Sequence, residues 1–502
     1  MVTAMDLFQN LIFGFGVAFT WQNLLYCVLG VSVGTLIGVL PGIGPLATIA
    51  MLLPLTFNVA PVGALIMLAG IYYGAQYGGS TTAILVNLPG ETSAVVTCID
   101  GYQMARQGRA GPALAIAAIG SFIAGTFGTL LIAIAGPPLA EVALKFGAPE
   151  YFSLMLMGLV AAAVLAQGDM IKSLAMVAMG LLLGIVGTDV NTGTQRFSFG
   201  ITELTDGIGF IVVAVGVFAV GEIVANLGDP EERKVFTDKV KNLFPSMEDL
   251  KKSIGPILRG TGIGSFFGVL PGTGPAIASF ASYMVEKKVA RNPDEFGKGA
   301  IQGVAGPESA NNADAQCKFI PMLTLGLPAS GVMALMLGAL TIQGIQPGPE
   351  VMTTRPELFW GLIASMWIGN ALLVVLNLPM IGIWVKLLKV PYRLLFPAIM
   401  AFSAIGIYSV NNSAFEIYLT AIFGVIGFLW FRLGCSPAPM LLGFVLGPMM
   451  EEHLRRAMLM SKGDPSVFVS RPISLAFIIA TALILLVMIA PAVRRRRLDV
   501  AG

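Results

Sequence analysis

Two twelve-residue segments of this chain repeat one pattern that frees backbone groups for binding. Residues 34–45 read GTLIGVLPGIGP and residues 264–275 read GSFFGVLPGTGP, identical at eight positions. Proline removes a backbone donor and clashes with the preceding turn. Glycine admits positive φ. Each Pro-Gly-x-Gly-Pro run should therefore break a helix. The segment that restarts after Pro45 or Pro275 presents free N–H groups and the positive end of a helix dipole, which together cradle an anion. Pro41, Gly42 and Gly44 in the first copy, and Pro271, Gly272 and Gly274 in the second, are the leading candidates for a binding site. The competing reading is a tight glycine-mediated helix crossing. Two copies at matched places favour a site, because paired broken helices mark the binding centre of membrane carriers.

A weaker match follows each copy: Asn87-Leu88-Pro89-Gly90 after the first and Gly326-Leu327-Pro328-Ala329 after the second. Around these lie polar groups in otherwise apolar sequence. Ser80, Thr81, Thr82, Asn87 and Pro89 interrupt one run. Glu308, Ser309, Asn311, Asn312, Gly326 and Pro328 interrupt the other. Hydroxyls, amides and loose backbone suit both a small cation and a carboxylate. The bland alternatives are a kinked helix whose hydroxyls bond the preceding turn and, for 306–316, a solvated loop. Asp314 and Lys318, four apart, either pair on one helix face or leave Lys318 to contact an anion.

The elements that position these groups follow from composition. Of 502 residues, 56% are hydrophobic and 12% charged, against roughly 25% charged in soluble domains. Mean hydropathy is +0.83. This excludes an ordinary soluble enzyme and predicts an all-α polytopic membrane protein, since lipid admits only helices or closed barrels. The clearest apolar stretches are 112–136, 151–167, 171–188, 208–227, 358–385, 394–410, 414–431 and 473–493. Interrupted ones cover 24–56, 62–88, 260–284, 300–326 and 329–345. That gives about twelve membrane segments in two homologous halves: 1–228, a basic cytoplasmic linker at 229–259, and 260–502. Residues 7–19 read as a short interfacial helix. A net charge of +2 gives no case for nucleic acid. One histidine and four scattered cysteines supply no common zinc or haem site. Gly42, Gly44 and Ala47 fit a dinucleotide fingerprint but lack its strand and βαβ setting. Neither HExxH nor GxSxG is present, so no enzyme is expected. There is no P-loop for ATP.

With these segments in view, the chain resembles the large membrane subunit of the tripartite tricarboxylate transporter family. The resemblance rests on GVLPGIGPLATIAMLLPLTF (38–57), YGAQYGGSTTAILVNLPGE (73–91), DGYQMARQGRAGPAL (100–114), VGEIVANL (220–227), LPGTGPAIASFASYMVEKK (270–288) and FGKGAIQGVAGPESANNADAQCKFIPMLTLGLPAS (296–330). It implies a permease of the bacterial inner membrane that works with a small membrane subunit and a periplasmic solute-binding protein. It also implies uptake of citrate or related carboxylates, with sodium as the usual coupling ion and no cofactor. Two departures stand out: Asp314, Gln316, Cys317 and Lys318 replace small uncharged residues, and Ala329 stands where glycine is common. The rival within the same class is a stand-alone carrier or channel without a binding protein. A neighbouring reading frame for a secreted binding protein would separate the two.

Basic residues set the orientation. Arg494 to Arg497 place the C-terminus in the cytoplasm. Lys251, Lys252 and Arg259 precede the second motif, and Lys287, Lys288 and Arg291 follow it. Residues 1–23 and 54–63 around the first contain neither Lys nor Arg. The second motif should thus start and finish on the cytoplasmic side and the first on the periplasmic side. Each becomes a re-entrant hairpin, with about 15 residues before the turn, short of the ~20 that span. The halves are then inverted.

Overall fold

A computed structural model describes residues 4–40, 44–165, 169–189, 192–221, 224–225, 243–387 and 392–500. Pro41 and Gly42, and residues 229–242 of the linker, lie outside the described residues. The first half runs α1 (Ala4–Ala18), α2 (Trp21–Val39), α3 (Pro45–Thr56), α4 (Pro61–Val86), α5 (Val95–Arg106), α6 (Ala110–Ala143), α7 (Ala148–Leu165), α8 (Met170–Gly184) and α9 (Phe210–Ala214, continued as a π-helix to Gly221). The second runs α10 (Met247–Val269), α11 (Pro275–Val289), α12 (Gln302–Cys317), α13 (Phe319–Leu325), α14 (Gly331–Ile342), α15 (Val351–Thr354), α16 (Pro356–Asn377), α17 (Ile381–Leu387), α18 (Tyr392–Asn411), α19 (Ala414–Arg432), α20 (Ala438–Met460), α21 (Val467–Ser470) and α22 (Pro472–Val500). Strands β1 (Gly187–Thr188) and β2 (Gln195–Arg196) form one small antiparallel hairpin.

The all-α membrane reading holds. Among the described residues, α2, α6, α16 and α19 are long and apolar enough to cross a membrane, and seven shorter helices are apolar. The short helix expected at 7–19 is α1, which packs against α16: Phe15 stacks on Trp367 with ring centroids 5.9 Å apart. The stretch 358–385 is two helices, because α16 stops at Asn377 and α17 starts at Ile381.

The repeated sequence builds repeated structure. Gly30, Gly34 and Gly38 of α2 lie on the backbone of Met67, Ile71 and Ala75 in α4. Gly260, Gly264 and Gly268 of α10 lie in the same way on Gly306, Ala310 and Asp314 of α12. A β-carbon at Gly34 would stand 2.5 Å from the Ile71 carbonyl oxygen, and one at Gly264 2.1 Å from that of Ala310. Small residues every fourth position let backbones meet closely, as in membrane helix pairs. The glycine crossing weighed against a binding role is therefore present, one to two turns before each Pro-Gly turn.

The chain doubles back after the second turn. Arg259 of α10 holds Glu286 of α11 at 2.8 and 2.6 Å, so residues about equally far before and after the turn lie side by side. The arms leading into the turns number 19 residues in α2 and 23 in α10, longer than the 15 expected. The α10 helix starts at Met247, inside the segment read as linker, because a Ser246–Asp249 capping box starts it among charged residues.

Helix α4 runs antiparallel to α12 and the start of α13. Tyr72 meets Phe319, ring centroids 6.5 Å apart, while Ser80, two turns on, donates to Glu308 at 2.5 Å. Helix α4 runs unbroken through Ser80, Thr81 and Thr82. The residues 306–316, where a loop was the alternative, are buried helix.

Candidate functional site

The second turn and the segments that follow both motifs converge. Gly44 and Pro45 from the first motif, Gly272, Thr273, Gly274 and Pro275 from the second, and Pro89, Gly90, Glu91 and Ser330 line one cavity of about 520 Å³. That volume lies within the range of small-molecule sites. Its wall is completed by Tyr72 and Gln76 of α4, Ala162 of α7 and the Ser436–Pro439 segment ahead of α20.

Local sequence explains the convergence. Gly44 and Gly274 are the N-caps of α3 and α11, with Pro45 and Pro275 in the first turn, and neither has a side-chain cap. Proline is preorganised there and its missing N–H costs nothing. Behind the prolines, the Ile277 N–H of α11 is taken by the Gly274 carbonyl at 3.0 Å and the Thr48 N–H of α3 by the Gly44 carbonyl at 3.2 Å. This leaves the N–H groups ahead of them, at Ala276 and at Leu46 and Ala47, for a ligand at the cavity wall. The carbonyls at the ends of the preceding helices are served separately. Thr273 donates to Phe267 and Leu270 at 2.6 and 2.9 Å. Thr82 donates to Val39 at 2.9 Å. Gly272 adopts φ +80°, and its N–H reaches the Ala329 carbonyl at 3.0 Å. This ties the second turn to the downstream match at 326–329. Asn87 and Gly326 are the matching left-handed caps of α4 and α13, at φ 59° and 68°.

A buried polar cluster stands behind the Glu91 wall. The Ser93 hydroxyl lies within reach of Glu91 and of Gln76 Oε1, the latter at 3.2 Å. Asn311 Nδ2 donates to Glu91 at 3.3 Å. Glu308 accepts from Ser80 and Thr97. Asn312 donates to Ser121 at 2.7 Å and to the Glu308 carbonyl at 3.0 Å. Gln76 Nε2 and Asn311 Oδ1 are buried without a hydrogen-bond partner.

Of the sequence-stated candidates that are described, Gly44, Pro89, Gly272 and Gly274 line the cavity. Glu308, Ser80, Asn311 and Asn312 form the polar layer behind it. Thr82 caps α2, Ser309 bonds back to Ala305 at 2.8 Å, and Asn87 is an exposed cap. Thr81 is buried in α4. Pro271 and Pro328 belong to the turn segments but not to the cavity wall. Lys318 is completely buried in a salt bridge with Asp314 and also stands apart from that wall. Tyr72, Gln76, Glu91, Thr273 and Ser330 were missed. Glu91 and Ser330 each follow the downstream match directly, so comparing the two copies one residue further would have found both.

A family model described as "Tripartite tricarboxylate transporter TctA family" matches residues 24–442. The chain belongs to the TctA family. A protein of Agrobacterium vitis described as an uncharacterized 52.8 kDa protein in the TAR-I ttuC' 3'region is 60% identical over 493 residues, 98% of either chain. A second from the same organism, described as an uncharacterized protein in the TAR-II ttuC' 3'region, is 59% identical over 234 residues, 47% of this chain and 97% of the relative. No solved structure matches. TctA proteins are membrane transport subunits, not enzymes, and work with TctB and TctC partners. Among the described lining residues of the cavity there is no Lys or Arg, so helix N-termini, hydroxyls such as those of Tyr72 and Ser330, and the Gln76 amide are what it offers an anion.

Proposed function

We propose that this chain is the permease subunit of a binding-protein-dependent secondary transporter. It imports citrate or related carboxylates across the bacterial inner membrane by sodium symport, with a small membrane subunit and a periplasmic binding protein as partners. One observation carries the reading: the segments that begin at Gly44 and at Gly272 line a single cavity, each with a helix N-terminus that has no side-chain cap at its wall. Oriented N–H groups with a helix dipole bind carboxylates without a fixed positive charge, and that arrangement also releases them readily. Neutral oxygens nearby suit a hard monovalent ion. We further propose that the halves are inverted, with each turn re-entrant near the midplane. The antiparallel run of α4 against α12 and the start of α13, and the Arg259–Glu286 tie between the arms, support this.

The test is radiolabelled citrate uptake into vesicles holding all three components. Saturable uptake should require the binding protein and collapse when the sodium gradient is removed, even with ATP present. Equal uptake without the binding protein would mean a stand-alone carrier. Full uptake on a proton gradient alone would remove sodium and leave the carrier.

A further inference from the structure

The cavity that should receive an anion carries one acid and no base. Glu91 lines it, and the other described lining residues include no second carboxylate. In a low-dielectric site two like charges repel strongly, so a carboxylate ligand and an ionised Glu91 do not share this space unaided. We propose that Glu91 and the Asn311 amide hold a monovalent cation, and that this cation completes the substrate site. The proposal rests on the cavity being a carboxylate site.

Proton counting supports it. Ser93 has one hydroxyl proton but two acceptor oxygens within reach, on Glu91 and on Gln76. Asn311 Oδ1 has no donor at all and is 1% exposed. The Asn311 amide already touches Glu91 through Nδ2. The oxygen and nitrogen ends of an amide are assigned from their bonding, and a half-turn brings Oδ1 to the same point. With the Asn311 amide turned, its oxygen joins those of Glu91, Ser93 and Gln76, and the one Ser93 proton is then shared between Glu91 and Gln76. A hard cation satisfies oxygens that protons do not. Glu91 is the one carboxylate among these four oxygens, which matches a charge of +1, while the Glu308 carboxylate behind them is already held by Ser80 and Thr97. No trio of His, Cys, Asp or Glu converges among the described residues, so a divalent site is not indicated.

The repeat supplies the contrast. The position matching Glu91 in the second half is Ser330, and the position matching Asn311 in the first is Tyr72. Both line the cavity, and both are neutral. One flank therefore suits a cation and the other the far end of the anion. Gln76 joins them, with Oε1 toward Ser93 and Nε2 free to donate.

The experiment uses the purified full chain in detergent. It measures equilibrium binding of radioactive sodium and the thermal midpoint, titrating sodium against choline at constant ionic strength, with and without citrate. Wild type should bind sodium saturably and bind citrate more tightly when sodium is present. Glu91→Gln should lower sodium affinity at least tenfold and bind citrate equally well with or without sodium, a gain that mere structural damage does not produce. Asn311→Ala should weaken sodium several-fold. Glu91→Asp tests the same oxygen if the amide variant does not fold: its sodium affinity should fall several-fold, and an unchanged value overturns the proposal. Wild-type sodium affinity in Glu91→Gln also overturns it. If wild type binds citrate indifferently to sodium, the cation site fails and the carrier stands. If it binds neither, both readings fail.

Discussion

The two halves of this molecule share a frame and differ in what they hang on it. In both, a helix with glycine at every fourth position lies on the backbone of a partner, and a short helix without a side-chain cap begins at the Gly-Pro that ends the motif. Where the first half places Ala75 and Gly79 the second places Asp314 and Lys318. Where the first places Glu91 the second places Ser330. Where the first has Phe57 to Ala60 between α3 and α4, the second has a longer connection ending at Ile301, clamped by Asp100. That carboxylate accepts from the N–H groups of Gly297, Gly299 and Ala300 at 2.8 to 2.9 Å and from the Tyr283 hydroxyl at 2.9 Å. Identity includes the glycines at the closest backbone contacts, where a side chain has no room. Divergence includes Glu91 against Ser330 and Tyr72 against Asn311 at the cavity and the layer behind it. The frame is the constraint, and the chemistry is free to become asymmetric.

The comparison breaks outright if the halves face the same way. In a cysteine-free background, a cysteine at Asn58 should react fully with an impermeant maleimide added from outside, and one at Arg291 should not react. Equal reactivity would leave a parallel duplication. The next effect is loss of fold. Gly34→Leu and Gly264→Leu drive side chains into carbonyls that stand 2.5 and 2.1 Å from where the first carbon would be. Overpacking costs about 1–3 kcal/mol and sometimes more, and backbone cannot step aside as a side chain can. Both variants should lose the monodisperse peak in size-exclusion chromatography. A folded Gly34→Leu beside an unfolded Gly264→Leu would show that the two crossings are not equivalent.

The buried pair gives a graded effect. Lys318 and Asp314 are both fully buried, and no residue of the first half matches them in charge. Removing one partner of a buried pair costs about 3–5 kcal/mol, whereas replacing both by apolar residues is often neutral. Asp314→Ala, which installs the residue of the first half, should lower the thermal midpoint sharply. Adding Lys318→Met should restore most of it. A double variant as unstable as the single would mean that the pair contributes attraction rather than a tolerated cost.

Much of this was legible in residues 34–45 and 264–275. Pro and Gly at fixed spacing state where a helix must break, and the self-match states that it breaks twice. The helical membrane class followed from hydropathy alone. What was not legible was the far side of the cavity. Tyr72 and Gln76 sit within an apolar helix, and their inward direction depends on how α4 packs on α2, which no local pattern encodes. Ser80 and, in the second half, Glu308 with the Asn pair were recognised as polar groups interrupting apolar sequence. That they form a layer behind the cavity depends on the α4–α12 crossing. The Ser436–Pro439 segment has no repeat partner and gave no signal. The arm lengths were misjudged because hydropathy stops at Arg259 while the helix continues outward to Met247.

The smallest effect separates two glycines of the same turn. Gly272 adopts φ +80°, and a β-carbon there would lie 2.5 Å from the Ala162 backbone. Left-handed backbone costs an ordinary residue roughly 1–2 kcal/mol, before the collision is counted. Gly274 adopts φ −88° and has nothing within 4 Å of its β-carbon position. Positive φ is therefore required at one glycine and not at the other, although both stand in the same motif. Gly272→Ala should lower the thermal midpoint. Gly274→Ala should leave it within about a degree, since surface-like changes fall within about 0.5 kcal/mol. Its new methyl group stands at the cavity wall beside the α11 N-terminus, so substrate affinity should fall by less than about tenfold, which is under 1.4 kcal/mol. Gly44, at φ −77° as the cap of α3, should behave as Gly274 does if the two N-termini serve one ligand. A Gly44→Ala variant with unchanged citrate affinity, beside a weakened Gly274→Ala, would assign the anion to the second motif alone.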